Sequence, residues 1–508
     1  MQSPVKNSGV FIQNITLITL SFIICIGAVM VIAPIKPFWV DEWFIISSLK
    51  TKSSAELMGQ LNFMQQFPRI YLELFKSFSS FFNYSYSALR LPSFLVSAAT
   101  IILSYKVMKK LYGQQVFTRY LFVLLLASSF TFCEYFVEVK QYAMDILLSV
   151  VAIWQLIELL NLGAGKIVNI RKYIFLCAGF FIAPFFSYTY PIAIAPAYGI
   201  ILLQTIGSFK NKGNPTKWKT TLLQWIPLLT SALGIALFYI IDAKQLATDK
   251  CMYERWSFLM IDNNHKIFSF LTGCYTLFSQ TGAGLLYETI FGILGVSAFI
   301  LGIVSCIKNY IKKEQSLEVQ VRAYCCLLLS LTIILYLFRR LPLGTPRLNA
   351  FTTPSIAILI IYIVNRISIN FHSDLKRKIL PAILYIGLVG NVFTWYINYF
   401  TSPRYKKQMA IYTATQKAIG LAQAKKIPIL ITPGIAYPYE QATIDAGAPD
   451  PAVWVLKTFP AYDVNAPLPV YAISGLDHTK EYLEHLPPGI QTVLVGDGIS
   501  FQIYNRKD

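Results

Sequence analysis

Long apolar runs recur along most of this chain, and they constrain its fold before any motif is read. A helix needs roughly 20 apolar residues to cross a bilayer, and about eleven segments approach or reach that length. They are 10–33, 90–111, 118–136, 141–162, 172–188, 190–207, 220–241, 285–306, 323–340, 347–366 and 379–400. In lipid the backbone must satisfy its own hydrogen bonds, so such segments are helical. Of the 508 residues, 55% are hydrophobic and only 14% charged, against about 25% charged in a soluble domain. Segments 172–188 and 190–207 meet at Ser187-Tyr188-Thr189-Tyr190-Pro191, as either one broken helix or a tight hairpin. The expected fold class is a polytopic α-helical membrane protein of about 11 transmembrane helices, with a small C-terminal α/β extracytoplasmic domain.

The formal charge of +19 does not indicate nucleic acid. Its lysines and arginines concentrate in alternate short loops, where they set topology. One such loop holds Lys106, Lys109, Lys110 and Arg119, and the next holds Lys166, Arg171 and Lys172. Lys210, Lys212, Lys217 and Lys219 follow, then Lys308, Lys312, Lys313 and Arg322, then Arg366, Lys376, Arg377 and Lys378. These loops, with Lys6, are expected on the cytoplasmic side, which puts the tail outside. Pro34-Ile35-Lys36-Pro37 is a poor cleavage site, so the first segment reads as a retained helix rather than a signal peptide.

The outer side then carries three large segments: 34–89, 242–284 and the tail. Asp41 and Glu42 stand side by side just after the first span. Ionisable groups at such a depth usually face a cavity or pathway, and a carboxylate in a cleft is the usual base for activating a hydroxyl. The alternative is that the pair only marks where the helix leaves the bilayer. Within 66–82, Leu74, Phe75, Phe78, Phe81 and Phe82 repeat at helical spacing, as in a helix lying in the membrane interface or packed on the bundle. The chain divides into a membrane module, 1–400, and a soluble module, 401–508. In the latter, Ile429–Thr432, Val470–Ile473, Thr492–Val495 and Phe501–Tyr504 are strand candidates, and Tyr405–Ala424 and His478–Leu486 helix candidates. Arg339, Arg340 and Arg347 bracket a proline-containing outer loop. They break the positive-inside pattern, which anion binding would explain, as would pairing with Glu134, Glu138 or lipid headgroups.

Eight cysteines include no CxxC pair, and four histidines are dispersed. Cys251 and Cys274 share the 242–284 loop, as a disulfide or as two free thiols. No metal ligands are assigned. No cofactor is assigned with certainty, and no ligand cluster supports a divalent metal.

The order of motifs resembles a known family. Trp39-Val40-Asp41-Glu42 follows the first span, and Gln66-Phe67-Pro68-Arg69-Ile70-Tyr71 comes next. Ala88-Leu89-Arg90-Leu91-Pro92 opens the second span, Glu138-Val139-Lys140-Gln141-Tyr142 the fourth and Pro346-Arg347 the tenth. This resembles the C-type (GT-C) glycosyltransferase superfamily, closest to its protein O-mannosyltransferase and lipid A aminoarabinose transferase branch, over about residues 10–145. Family members often carry His-Pro-Pro where this chain has Gln66-Phe67-Pro68, which bears on any histidine-dependent substrate or metal contact.

The resemblance implies transfer of a sugar, with inversion, from a polyprenyl-phosphate donor to a lipid, glycan or protein acceptor, and the short loops and lean N-terminus suggest a bacterial inner membrane with the active face outside. The resemblance casts Asp41 and Glu42 as catalytic. Lys140, Arg339, Arg340 and Arg347 would bind the donor phosphate, and Arg69, Arg90, Glu138 and Tyr142 would line the substrate cavity. Membrane lipids are the other implied partners. The rival readings are a transporter or flippase, and a polymerase or ligase, for a lipid-linked glycan.

Overall fold

The computed structural model describes residues 27, 38, 40–61, 65–113, 115–163, 169–210, 215–244, 260–262, 264–312, 314–370, 374–403 and 405–406. It also describes the strand segments 429–431, 453–455, 471–475, 490–494 and 501–506. The expected span 10–33 lies outside these residues except for Gly27, as do Cys251 and nearly all of the two tail helix candidates.

In chain order the helices are α1 (Val40–Thr51), α2 (Ser54–Leu57), α3 (Arg69–Phe81), α4 (Tyr86–Tyr112), α5 (Val116–Ala127) and α6 (Phe130–Tyr135). Then come α7 (Tyr142–Gly163), α8 (Ile170–Ile182), α9 (Tyr190–Lys210), α10 (Pro215–Phe238), α11 (Lys266–Ser279) and α12 (Gly284–Ile311). The last four are α13 (Leu317–Leu337), α14 (Pro346–Asn349), α15 (Thr353–Asn370) and α16 (Asp374–Thr401). Among the described residues, eight helices are long and apolar enough to cross a membrane. They are Ser87–Tyr112, Tyr142–Gly163, Tyr190–Gly207, Thr220–Ala243, Gly284–Ile311, Leu317–Leu337, Pro346–Ile367 and Ile383–Thr401, and each matches an expected segment.

Two other expected spans are corrected. Segment 118–136 is α5 and α6, because Ser129 stops one helix and caps the next by accepting the Phe132 N–H at 3.3 Å. Segment 172–188 is the 13-residue α8, a 3-10 turn at Ala183–Phe186 begun next to Pro184, and an extended Ser187. A proline and a serine bonding its own neighbourhood break the helix that hydrophobicity alone would continue.

The chain divides into two compact units. The first comprises Met1–Val31, Gln66–Glu73 and Pro92–Tyr396. Its centre is α7 and the Pro346–Ile367 span, 78% and 89% buried, while Gly284–Ile311 and Thr220–Ala243 are only 33% buried and present apolar side chains outward. Helix α7 packs on α9, α10 and α13; α15 packs on α5, α12 and α13; α8 lies on α10. Gly234 permits that last approach, since a Cβ there would collide with the Phe181 carbonyl. Small residues at helix contacts are how membrane helices pack closely.

Helix ends buried in this unit are closed by side chains. Asn391 of α16 donates to the carbonyls of Ser128 at 2.7 Å and Thr281 at 2.9 Å, and accepts the Ala283 N–H at 2.7 Å. Gln280 donates to Thr352 Oγ1 at 2.6 Å, and Thr131 meets Thr353 at 2.9 Å.

The second unit comprises Ile32–Gln65, Leu74–Leu91 and Ile397–Asp508. Helix α1 begins with Asp41 and Glu42, acids placed where the helix dipole favours them. Helix α2 starts in a capping box, Ser53 N–H to Glu56 Oε2 at 2.7 Å and Glu56 N–H to Ser53 Oγ at 3.3 Å. Hydrogen bonds from the Ser53 backbone and hydroxyl hold the Glu56 carboxyl below its usual range. Among the described residues the tail carries five strands where the sequence reading gives four: β1 (Ile429–Ile431), β2 (Val453–Val455), β3 (Tyr471–Gly475), β4 (Ile490–Leu494) and β5 (Phe501–Arg506). Their order is β2-β1-β3-β5-β4, parallel through the first three and antiparallel through the last three. The added strand β2 has 3 residues, too few to show the alternation that identifies a strand.

Replacing Asn391 by leucine removes three hydrogen bonds and leaves the Ser128 carbonyl and the Ala283 amide unmatched, while the Thr281 carbonyl keeps the Phe130 N–H at 3.3 Å. At about 0.6 kcal/mol per membrane hydrogen bond, the loss is about 2 kcal/mol. It will show as earlier thermal unfolding in detergent, with Leu388→Val at a neighbouring buried position costing less.

Candidate functional site

The carboxylate pair is divided by burial. Glu42 is 0% exposed, while Asp41, beside it on the first turn of α1, is half-buried. Arg90 Nη1 stands 3.5 Å from Glu42 Oε1. The guanidinium also lies over Phe38, 4.3 Å from the ring centroid. One acid is thus fixed by a buried arginine and the other faces partly outward, all within the second unit.

The first unit gathers the remaining expected residues along chain breaks. Between α6 and α7 the backbone leaves the helix over 136–141, and Glu138 and Lys140 there are 1% and 4% exposed. Two serines of α4 hold this loop: Ser93 donates to the Glu138 carbonyl and Ser97 to the Phe136 carbonyl. Tyr142 opens α7, its ring 5.0 Å from Tyr135. Helix α14, which carries Arg347 in its single turn, packs against α6, which carries Glu134. Glu134 accepts the Trp395 indole N–H at 3.1 Å. Tyr135 lies past the end of the apolar α5. Burial pushes its hydroxyl well above the usual range, Glu138 and Glu134 add to that, and Arg347 works against it. Glu134 of α6, Glu138 of the loop and Arg347 therefore all act on Tyr135.

Arg339 and Arg340 take their places from how α13 ends. Arg339 N–H bonds the Tyr336 carbonyl at 2.9 Å and Arg340 N–H the Leu335 carbonyl at 2.8 Å. This pairing closes a helix with one left-handed residue, and Arg339 is that residue, with φ 56°. Glycine usually stands there, and another residue costs about 1–2 kcal/mol. Arg339 is half-buried and Arg340 exposed.

Arg69 is 3% exposed and opens α3. Its backbone N–H donates to Asp242 Oδ2 at 2.8 Å, and its Nη1 to the Phe67 carbonyl at 2.9 Å. The Tyr188 hydroxyl donates to Asp242 Oδ1 at 2.7 Å. Asp242 sits in a π-helical turn, Tyr239–Ala243, that ends α10. Beside this group, Ser187 donates to Asp145 of α7. The Tyr71 ring lies tilted 5.2 Å from that of Phe67, and burial raises its hydroxyl well above the usual range, with Ser93 working against it.

Asp145 and Asp242 are additions that the sequence reading misses. Their signal is present, since each is an acid within or ending an apolar span, and such residues mark functional or structural polar sites. Among the described residues no group of three or more His, Cys, Asp or Glu could hold a metal.

Arg90→Ala will leave Glu42 buried beside the space of its missing cation. Breaking one side of a buried pair costs about 3–5 kcal/mol, whereas replacing both sides can be near neutral. Thermal unfolding of Arg90→Ala, Glu42→Gln and Arg90→Met with Glu42→Gln will therefore give strongly non-additive losses, with the double variant recovering most of the stability.

No family model and no curated protein matches this sequence. Two crystal structures of ArnT from Cupriavidus metallidurans are similar to it, one bound to undecaprenyl phosphate and one in the apo state. Each gives a TM-score of 0.53 at 10% identity, over 98% of this chain and 98% of that chain. The likeness therefore spans both chains nearly from end to end, and this chain has the fold of the ArnT structures.

Proposed function

We propose that this protein is an integral membrane glycosyltransferase that moves a sugar from a polyprenyl-phosphate donor to a hydroxyl of a lipid, glycan or protein acceptor. The carrying observation is the full-length likeness to a structure that holds undecaprenyl phosphate, joined to a half-buried Asp41 next to an arginine-fixed Glu42. We assign the reaction to the outer face of the bacterial inner membrane, the side that the basic loops leave free, and place the 401–508 module on that side.

In this reading Asp41 accepts the proton of the acceptor hydroxyl as its oxygen attacks the anomeric carbon. The bond from that carbon to the phosphate oxygen breaks, and polyprenyl phosphate leaves with the bonding pair. A single displacement inverts the centre. Charge grows on the leaving phosphate, so cations placed beforehand lower the barrier. Arg347 and Lys140 take that role, with Arg339 and Arg340 beside Arg347 in sequence. Glu42, held by Arg90, acts as a positioning residue for Asp41. Arg69, Glu138 and Tyr142 line the substrate cavity. A transporter for a lipid-linked glycan is the second reading, favoured by the chain break at Ser187–Thr189 next to the buried Asp145, since broken helices mark transport sites.

Purified Asp41→Asn protein will fold normally and lose transfer, because an amide cannot accept the proton, and Glu42→Gln will be less severe. Transfer undiminished in Asp41→Asn would end the catalytic assignment. Glycan movement without bond exchange would favour the transporter.

Arg347→Ala will weaken polyprenyl-phosphate binding by about 1.5–3 kcal/mol, the worth of a charge-assisted bond. Arg347→Lys will restore part of it, since lysine lacks the two-pronged fork. Titration of polyprenyl phosphate against each variant reads this directly, and the acceptor's apparent affinity will hardly move.

A further inference from the structure

At the end of the first unit remote from Tyr142, a cavity of about 540 Å³ lies where the C-terminal turns of α4 and α7 meet the start of α8. Lys110 and Lys172 stand on its wall, with Trp154, Tyr173, Phe175 and Leu176 around them. These lysines belong to the basic loops that the sequence singles out, and the proposed reaction does not use them. We propose that this cavity binds an anionic glycerophospholipid from the surrounding bilayer, with its phosphate between Lys110 and Lys172 and an acyl chain along Phe175 and Leu176.

Four observations carry the assignment. First, the wall holds two lysines against one carboxylate, Glu158, which favours an anion. Second, Lys110 pairs with Glu158 and lies 5.8 Å from the Trp154 centroid, and its side chain stays 39% exposed. Its ammonium is thus held at the wall yet accessible, and a phosphate would share it with Glu158.

Third, Arg171 and Lys172 occupy the first turn of α8, the end of a helix dipole that repels cations. Asn169 caps only part of that turn, accepting the Arg171 N–H at 3.0 Å. An anion at the cavity would relieve this clustering of positive charge. Fourth, the same helix presents apolar surface: Ile170, Ile174 and Phe175 are 67%, 59% and 77% exposed. Basic groups beside apolar surface, with a tryptophan and a tyrosine at the boundary, match the layers of a phospholipid at a membrane interface.

The test uses the full chain in mild detergent, with lipid binding read by native mass spectrometry. Phosphatidylglycerol should give a distinct one-lipid state. Lys172→Gln should lower its occupancy about fivefold, the usual worth of one cation at an anionic headgroup. Lys110→Gln with Lys172→Gln should remove it. Lys172 is exposed, so the single variant should keep the wild-type unfolding temperature and separates lost binding from lost folding. Lys312→Gln, at the exposed C-cap of α12, should change nothing. Phosphatidylcholine should bind more weakly, and excess inorganic phosphate should not displace the lipid. Equal occupancy in wild type and Lys172→Gln would overturn the proposal, and so would an equal loss in Lys312→Gln. Displacement by inorganic phosphate would assign the cavity to a free anion instead.

Discussion

In a bilayer, each interruption of a helix must be closed by protein, because no water is at hand to take the freed N–H and C=O groups. Much of the polar architecture of the first unit answers to that constraint. The gap between α5 and α6 is bonded by Asn391, whose amide reaches Ser128 and Thr281. The break before α9 is held by Ser187 against Asp145, and its Tyr188 by Asp242. The loop before α7 hangs from Ser93 and Ser97. Buried serine, asparagine and aspartate are costly in lipid, but here they complete a backbone that would otherwise be unsatisfied.

The same breaks concentrate chemistry. A continuous helix spreads its side chains along a ridge, whereas a break turns several backbone segments toward one place. Glu138 and Lys140 are buried in a short non-helical loop, and Asp242 ties the π-turn after α10 to the first residue of α3. Arg339 adds a strained left-handed residue at the end of α13. Such strain persists only where surrounding contacts fix it, and it gathers at functional sites. In the second unit, Arg90 pairs with Glu42 and packs over Phe38, so the carboxylate keeps its position where water cannot reach it.

Much was legible in the sequence because hydrophobic length is a local property. Eight expected segments became helices long and apolar enough to cross a membrane, most of their bounds falling within four residues of those expected. The tail strands at Tyr471–Gly475 and Phe501–Arg506 were visible in their apolar runs. The breaks were harder to see. Segment 118–136 is apolar enough to cross, and only the capping of α6 by Ser129 divides it. Lys140 and Arg347 could be picked out as cations in short loops expected on the outer side. Asp145 and Asp242 carried a signal too, but their partners Ser187, Tyr188 and Arg69 are far away in sequence, so their meaning depended on contacts no local pattern contains.

The sequence by itself determined that this chain lives in a membrane, that alternate loops differ in charge, and that Asp41 and Glu42 follow the first long apolar run. Those follow from transfer free energy and residue order, which need no fold. Tertiary structure alone decided that Glu42 is wholly buried on Arg90 while Asp41 stays half-buried. It also decided which polar residues close the helix breaks, and that α14 brings Arg347 to α6. Adjacent residues in a sequence have the same neighbours on paper, but a helix turn points them in different directions, and only the packing around each one sets its water and its partner.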